Sequence, residues 1–401
     1  MKEEGCTENL YGGLQVYEDA ARPFSREERL RKIAGPLLHW FRASARVLPW
    51  RTDPTPYHVW VSEIMLQQTR VEAVKPYYSR FMERLPGIRE LAEAQEEELL
   101  KLWEGLGYYS RVRNMKKAAE QVLENWGGEL PGSAAGLQKL PGIGSYTAGA
   151  IASIAFGLPE PAVDGNVLRV ISRITASRAD IGEASTKKAM EQELRPVLEN
   201  CGQPGDLNQA LMELGATVCL PNGAPCCDSC PVSGLCLAKR QNLTEEIPVK
   251  APKKPRKIEE KTIFLVEWDG AVLVQKRPEK GLLASLYEFP WKAGKMTDKD
   301  TKEQWQAILG VPVSVNPLGE AKHIFTHIEW RMTGYAVVPE SADHIRPELG
   351  EVLPEAPFWA SESEVRERYS VPSALRTYAK WIGKVKKDKP RSCYSAGKQL
   401  L

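Results

Sequence analysis

Leu140-Pro-Gly-Ile-Gly-Ser-Tyr-Thr-Ala-Gly149 lies between two stretches of helical pattern. Pro141 stops the first helix, and Gly142 and Gly144 permit positive φ and the close approach of another backbone. The second helix then begins with unpaired N–H groups and the positive end of its dipole exposed. That suits an anion such as a nucleic-acid phosphate. A plain turn between two packed helices has the same local form, so the flanks have to separate the two readings.

Upstream, the helical pattern runs from Ser25, where Ser25-Arg-Glu-Glu28 has the form of a capping box and Ile33, Leu37, Leu38 and Phe41 follow at helical spacing. It continues to about Arg240. Residues 1–25 read as a loose arm, polar and acidic, and unlike a signal or transit peptide. Hydrophobic residues make up 42% of the 401, which excludes a disordered chain and allows two domains with separate cores. The formal net charge is only +2, so nucleic-acid binding has to come from local chemistry. No apolar run is long enough to span a bilayer. A cytoplasmic protein is expected, with cysteines that are reduced or bound to metal.

Five of the eight cysteines fall in Cys219-Leu-Pro-Asn-Gly-Ala-Pro-Cys226-Cys227-Asp-Ser-Cys230-Pro-Val-Ser-Gly-Leu-Cys236. Thiolates this dense repel one another unless a metal neutralises them, and the Cys227-x-x-Cys230 bite brings two sulfurs to one metal centre. Spacing alone does not choose between zinc and a [4Fe–4S] cluster.

Two carboxylates stand out. Glu63 sits in the apolar run Trp60-Val-Ser-Glu-Ile-Met-Leu66, where burial would raise its pKa and make it a general acid. A solvated edge of the helix is the plainer alternative. Pro161-Ala-Val-Asp-Gly-Asn166 precedes another helical run, so Asp164 or Asn166 is a helix cap, a carboxylate facing a developing cation, or both.

Ile247-Pro-Val-Lys-Ala-Pro-Lys-Lys-Pro-Arg-Lys257 reads as an extended basic linker. Beyond it the period changes to that of strands. Thr262–Trp268 and Ala271–Gln275 flank Asp269-Gly270, a type I′ hairpin signal. Further strands are expected near His323–Val338 and helices near Lys299–Leu309 and Ser373–Ile382. His323-Ile-Phe-Thr-His327 by itself reads as ordinary alternation within a strand. The residues from Lys384 form a basic tail.

Taken together these strings resemble the MutY family of adenine DNA glycosylases, within the superfamily of endonuclease III. Pro49-Trp50-Arg51, Val61-Ser-Glu-Ile-Met-Leu-Gln-Gln-Thr-Arg-Val71, Glu104-Gly-Leu-Gly-Tyr-Tyr-Ser-Arg-Val-Arg-Asn114, the hairpin and Ala162-Val-Asp-Gly-Asn-Val167 form a near-complete set in order, and the likeness spans residues 26–383. It implies a multidomain chain: an all-α helix-hairpin-helix glycosylase region over 26–240, a basic linker over 241–261, an α+β Nudix-like domain over 262–385 that recognises 8-oxoguanine, and a tail over 386–401. It implies that Glu63 protonates the adenine, that Asp164 stabilises an oxocarbenium-like sugar, and that Tyr146 and Asn166 assist. Trp50 and Arg51 would help form the base pocket. Gln68, Leu106 and Tyr108 would belong to loops that enter the duplex, and Gly142 and Gly144 to the phosphate-binding hairpin. It also tips the metal toward [4Fe–4S], with Cys219, Cys227, Cys230 and Cys236 as ligands. The family spacing is C-x6-C-x2-C-x5-C. Cys226 keeps its first gap, and Cys227 keeps the two-residue bite, so Cys226 stays the alternative to Cys227.

Gly281-Leu-Leu-Ala-Ser-Leu-Tyr-Glu-Phe-Pro290 resembles the start of the family's second domain, with Tyr287 in place of Trp. The Glu cluster of a Nudix hydrolase is missing. His323-Ile-Phe-Thr-His327 matches the H-x-F-S-H loop, which assigns 8-oxoguanine recognition to Phe325, Thr326 and His327. Endonuclease III-like relatives with lyase activity carry a Lys where this chain has Tyr146, so the resemblance implies a monofunctional enzyme. The partner is duplex DNA with an A:8-oxoguanine or A:G mispair, and the protein is expected to act as a monomer at the nucleoid if bacterial. The competing readings are a related glycosylase with another base specificity or lyase activity, and a DNA-binding protein without catalysis.

Overall fold

The computed structural model describes residues 24–252, 255–340 and 356–384, so most of the arm and all of the tail from 386 lie outside the described residues. By contacts the chain divides into two units: the first holds residues 24–94 and 110–252, and the second holds 95–109 and the residues from 255 on.

The first unit is helical. Its elements are α1 (Arg26–Ser44), α2 (Pro49–Thr52), α3 (Pro56–Leu66), α4 (Val71–Arg84) and α5 (Ile88–Glu93); α6 (Glu96–Leu102) follows in sequence but belongs to the second unit. Then come α7 (Ser110–Trp126), α8 (Ala134–Leu137), α9 (Ser145–Ile154), α10 (Gly165–Ile174), α11 (Ala184–Asn200), α12 (Pro204–Thr217) and α13 (Leu237–Arg240). The Ser25–Glu28 capping box starts α1, as its sequence predicts. Leu30, Ile33, Leu37 and Phe41 recur every three or four residues and so share one face, which packs on α11 and α12 in a core that also holds Leu194, Leu207, Leu214, Val167 and Ile171.

Small residues let these helices approach closely. A Cβ at Gly149 of α9 would lie 2.0 Å from the Pro161 carbonyl oxygen, and one at Gly215 of α12 would lie 2.5 Å from Cβ of Asn166. Glycine is therefore required at both positions, and each brings an Asp164-flanking backbone up against a neighbouring helix. No helix among the described residues is long and apolar enough to cross a membrane.

The second unit is built on a mixed sheet: β1 (Lys257–Trp268), β2 (Ala271–Lys276), β3 (Tyr287–Glu288), β4 (Trp291–Ala293), β5 (Val313–Ile324), β6 (Ile328–Pro339) and β7 (Phe358–Ser361). The order is β3-β2-β1-β6-β5, with β4 added on β1 and β7 on β2; β1 and β6 run parallel and the other pairs antiparallel. Asp269 and Gly270 both have positive φ, 48° and 76°, as the type I′ signal requires. Along β1, Ile263 and Leu265 face a core closed by Tyr378, and Phe264 and Val266 face another closed by Trp305 and Leu309 of α14 (Asp298–Leu309). A strand buried on both faces reads as a continuous apolar run. The helices α15 (Glu362–Glu367) and α16 (Arg376–Ala379) complete the unit; the latter, with a short 3₁₀ turn at Ser373–Leu375, stands where a longer helix over Ser373–Ile382 was expected.

Three expectations need correction. First, α6 and its following loop were expected within the helical region but group with the second unit, because Tyr287 Oη donates to Glu97 (2.9 Å) and Lys101 Nζ donates to the carbonyls of Val365 (3.3 Å) and Tyr369 (3.4 Å). The Tyr287 hydroxyl makes the first of these ties. Second, the basic stretch is not a free linker at its two ends. The Ile247 carbonyl accepts from Arg173 (2.8 Å) and the Val249 carbonyl from Ile181 N–H (3.0 Å), whereas Lys257–Lys261 already belong to β1. Third, the strand expected through His323–His327 breaks: β5 ends at Ile324, β6 starts at Ile328, and Phe325–His327 form the turn between them.

Candidate active site and cysteine cluster

Helix α3 starts at Pro56, with Thr55 as its N-cap, and presents a nearly all-buried surface. Glu63 falls on it and is 7% exposed, so the apolar environment wins over the solvated-edge alternative. Burial pushes its carboxyl up to about 7; the nearby Asp164 pushes the same way, while the Tyr146 hydroxyl and Arg51 pull it down. Tyr146, in the first turn of α9, donates its hydroxyl to Glu63 Oε2 and lies 3.3 Å from Met212 Sδ. Its own pKa is raised well above 10 by burial and by the two carboxylates, so it stays a neutral donor.

Asp164 is both a cap and a site residue. Its Oδ1 accepts from the N–H groups of Asn166 (2.9 Å) and Val167 (2.8 Å) as the N-cap of α10, and Oδ2 accepts from Asn166 Nδ2 (2.7 Å). Burial raises its pKa, and these donors and Arg169 resist the rise. Two buried carboxylates that repel each other's charge cannot both ionise freely. Asp164 has three N–H donors and Glu63 one O–H donor, so the shared preference is a charged Asp164 and a protonated Glu63. Environments that separate two acids in this way divide the roles of acid and anion.

Asn166 reaches further. Its Oδ1 accepts from Arg169 Nη2 (2.9 Å), and the same guanidinium donates to the carbonyls of Gly215 (2.7 Å) and Cys219 (2.8 Å). Glu213, in α12, is 2% exposed and pairs with Arg46 (2.6 Å) and Arg51 (2.9 Å). Burial would raise its pKa, but the two guanidinium groups outweigh that and lower it. Arg51 also donates to Gln209 and to the Arg46 carbonyl, and Trp50 packs edge-on against Tyr78, so both are tied into the helical core. Glu213, Arg169 and Met212 were not singled out from sequence. Glu213 carried the same signal as Glu63, a carboxylate in an apolar helix; Arg169 carried none, since a single Arg on a helix is ordinarily surface.

The hairpin differs from expectation in one respect. Gly142 has φ 79°, and a Cβ there would meet Asn114 Cβ at 2.8 Å, whereas Gly144 has an ordinary negative φ as N-cap of α9. What Gly144 offers is open space, with nothing within 4 Å of a Cβ built there. Gln68, exposed after the end of α3, has φ 60°. In the second unit Leu106 is buried, while Tyr108 has φ 47°, is 47% exposed and lies with its hydroxyl 3.0 Å from that of Thr326. Thr326 and His327 are exposed and Phe325 half-buried.

The cysteines follow α12. Cys227–Ser229 and Ser233–Leu235 are tight 3₁₀ turns that aim Cys219, Cys227, Cys230 and Cys236 into one cavity, walled by Val170 and Arg173 of α10. These four are free thiols, and Cys226 also lines the cavity. Burial pushes the thiols of Cys227 and Cys236 up, and that of Cys230 to about 12; the other cysteines of the group add to it. Arg173 Nη1 lies 3.3 Å from Cys219 Sγ. Among the described residues no three His, Cys, Asp or Glu side chains converge on a point that would hold a single metal ion.

Residues 61–199 match the model of the HhH-GPD superfamily base excision DNA repair protein, and residues 262–381 match that of the NUDIX domain. The chain is 36% identical over 412 residues to the adenine DNA glycosylase of Homo sapiens, covering 88% of this chain and 74% of that one. It is 32% identical to the adenine DNA glycosylase of Schizosaccharomyces pombe, covering 88% and 89%. Among solved structures, a thermostable thymine-DNA glycosylase is 28% identical with a TM-score of 0.47, covering 54% of this chain and all of that one.

Proposed function

The chain belongs to the adenine DNA glycosylase family, and from that premise we propose that it excises adenine mispaired with 8-oxoguanine or guanine, with Glu63 as the acid and Asp164 as the stabilising anion. The enzyme is a monofunctional glycosylase of base excision repair that hydrolyses an N-glycosidic bond in DNA. The observation that carries the assignment of roles is the buried Glu63 carboxyl, pushed up to about 7, beside an Asp164 carboxyl that accepts three N–H hydrogen bonds.

Adenine leaves poorly as an anion. A proton delivered by Glu63 to a ring nitrogen makes it a neutral leaving group, and the positive charge that develops on the sugar is met by Asp164. Tyr146 holds the Glu63 carboxyl in place and, having no amine, offers no Schiff base. The adenine has to leave the stack to reach an acid this buried, at a cost of a few kcal/mol that a mispair lowers. Gln68 and Tyr108, exposed and with positive φ, would be the residues that enter the duplex. The Phe325-Thr326-His327 turn is assigned to the base opposite the adenine. The enzyme acts as a monomer.

The four free thiols fit a [4Fe–4S] cluster. Four half-buried cysteines around one cavity, with Arg173 and Lys239 at its wall, suit a thiolate-ligated anionic group. Cys219, Cys227, Cys230 and Cys236 would hold it. Bound there, it would neutralise the thiolates, and its ligands would tie the end of α12 to the two 3₁₀ turns.

The test is single-turnover cleavage of duplexes with A opposite 8-oxoguanine, G or T, read before and after alkali, with Glu63→Gln as control. Adenine release opposite 8-oxoguanine and G, strand breaks only after alkali, and a silent variant are expected. An active Glu63→Gln would remove Glu63 from its role.

A further inference from the structure

The turn that carries Thr326 and His327 has little of its own to fix it. Its backbone ties are Phe325 N–H to the Ile328 carbonyl (2.8 Å), Lys257 N–H to the His327 carbonyl (3.0 Å) and Arg256 Nε to the Phe325 carbonyl (3.1 Å). The tie of its tip, Thr326 to Tyr108, joins two exposed hydroxyls, for which water competes.

Beneath the tip, however, lies a stack. The rings of His323 and Phe325 meet at 4.6 Å and 62°, and those of Phe325 and Trp330 at 4.8 Å and 71°. Such edge-to-face contacts are the favoured geometry of aromatic pairs. Trp330 is 2% exposed, and its indole N–H donates to Glu259 (3.1 Å). The Lys261 ammonium, on β1, lies 4.5 Å from the Trp330 ring and 3.3 Å from the Trp291 ring. Lys261 is 6% exposed, which is rare for lysine and needs compensation. The two indoles supply it, along with Glu259 at 3.9 Å. Trp291 is in turn held by its N–H to Glu288 (2.9 Å), which also accepts from Gln275 (3.2 Å) and Arg277.

We propose that Trp330, clamped by Lys261, is a positioning residue for discrimination of the base opposite adenine: it seats Phe325 and so sets where Thr326 and His327 meet that base. The inference rests on the assignment of this turn to the opposite base. 8-Oxoguanine and guanine differ at one edge, by an added oxygen and an N–H where guanine has a lone pair. Reading so small a difference requires a polar group placed to within a fraction of an ångström. Neither Trp330 nor Lys261 needs to touch DNA for this.

The experiment measures, with enzyme in excess over DNA but below saturation, the preference for A:8-oxoguanine over A:G in single-turnover excision by the full chain and by Trp330→Leu, Trp330→Phe, Lys261→Met and Thr326→Ala. Trp330→Leu is expected to lower the preference about fivefold, the equivalent of one aromatic pair, with Trp330→Phe restoring it to within about twofold of the parent. Lys261→Met is expected to fall between them; should Trp330→Leu not fold, a drop in preference with Lys261→Met sustains the proposal and an unchanged preference overturns it. An unchanged preference in a folded Trp330→Leu, or an equal loss in Trp330→Phe, overturns it too. If Thr326→Ala alters the preference and Trp330→Leu does not, the positioning inference alone fails. If Thr326→Ala leaves the preference as it was, the assignment of the turn fails and this inference with it.

Discussion

The Tyr146 hydroxyl donates to the Glu63 carboxylate across two helices, α9 and α3, that are 83 residues apart in sequence. A lysine in place of Tyr146 would favour ionisation of the carboxyl that has to keep its proton. The pair also makes the pH behaviour of the enzyme a property of packing. Burial is the largest influence on Glu63, ahead of the hydroxyl and of Asp164.

Excision should therefore decline as the pH rises through about 7, where Glu63 loses its proton. Glu63→Gln should lower the single-turnover rate by about a thousandfold or more, the upper range for a general acid. Stability falls over the same range. The folded carboxyl is raised above the usual 4.5, so its contribution is fully present below 4.5 and is lost as the pH rises through about 7. Glu63→Gln keeps an acceptor for Tyr146 and removes the buried charge. At pH 8 the variant should be more stable than the parent, on the order of 3 kcal/mol from a shift of this size. Denaturant titration at pH 5 and pH 8 checks this; equal effects at both would show that Glu63 is not the titrating group.

Tyr146→Phe removes a donor that lowers the Glu63 pKa. The alkaline limb of the pH–rate profile should move to higher pH, without strand cleavage appearing. A limb that moves down would mean that the hydroxyl acts on something other than the carboxyl.

Arg169→Leu should be costly despite lying away from the substrate. The guanidinium serves Asn166 Oδ1 and the carbonyls of Gly215 and Cys219, and the residue is 7% exposed. Leaving these buried acceptors unpaired should destabilise the protein by about 3 kcal/mol and slow excision, since Asn166 is a donor to Asp164. Thermal melting and the single-turnover rate measure the two effects separately.

Cys227→Ser should reduce iron per chain and the cluster's visible absorbance, and Cys226→Ser should leave both intact. The reverse result would make Cys226 the ligand and put the inserted residue inside the two-residue bite.

Gly149→Ala should destabilise the first unit by about 1–3 kcal/mol, because the added carbon would lie 2.0 Å from the Pro161 carbonyl and the helix or the Asp164 loop has to shift. A loss of activity larger than the loss of stability explains would show that the shift reaches Asp164.

Local patterns in the chain determined much. The capping box of α1, the type I′ turn at Asp269-Gly270, the cap at Asp164 and the apolar setting of Glu63 are decided by a few neighbouring residues, and neighbours in sequence are what a pattern records. The tertiary structure decided the rest. It chose the buried form of Glu63 over the solvated edge, because which face of α3 is covered depends on α9, far along the chain. It placed Arg169 between Asn166 and the Cys219 carbonyl, grouped α6 with the second unit, and broke the expected strand at Phe325 so that Thr326 and His327 stand on a turn above Trp330. Each of these depends on partners separated by tens of residues or more. Burial, pKa and the seating of a turn are set by what surrounds a residue in space, and spacing along the chain does not contain that.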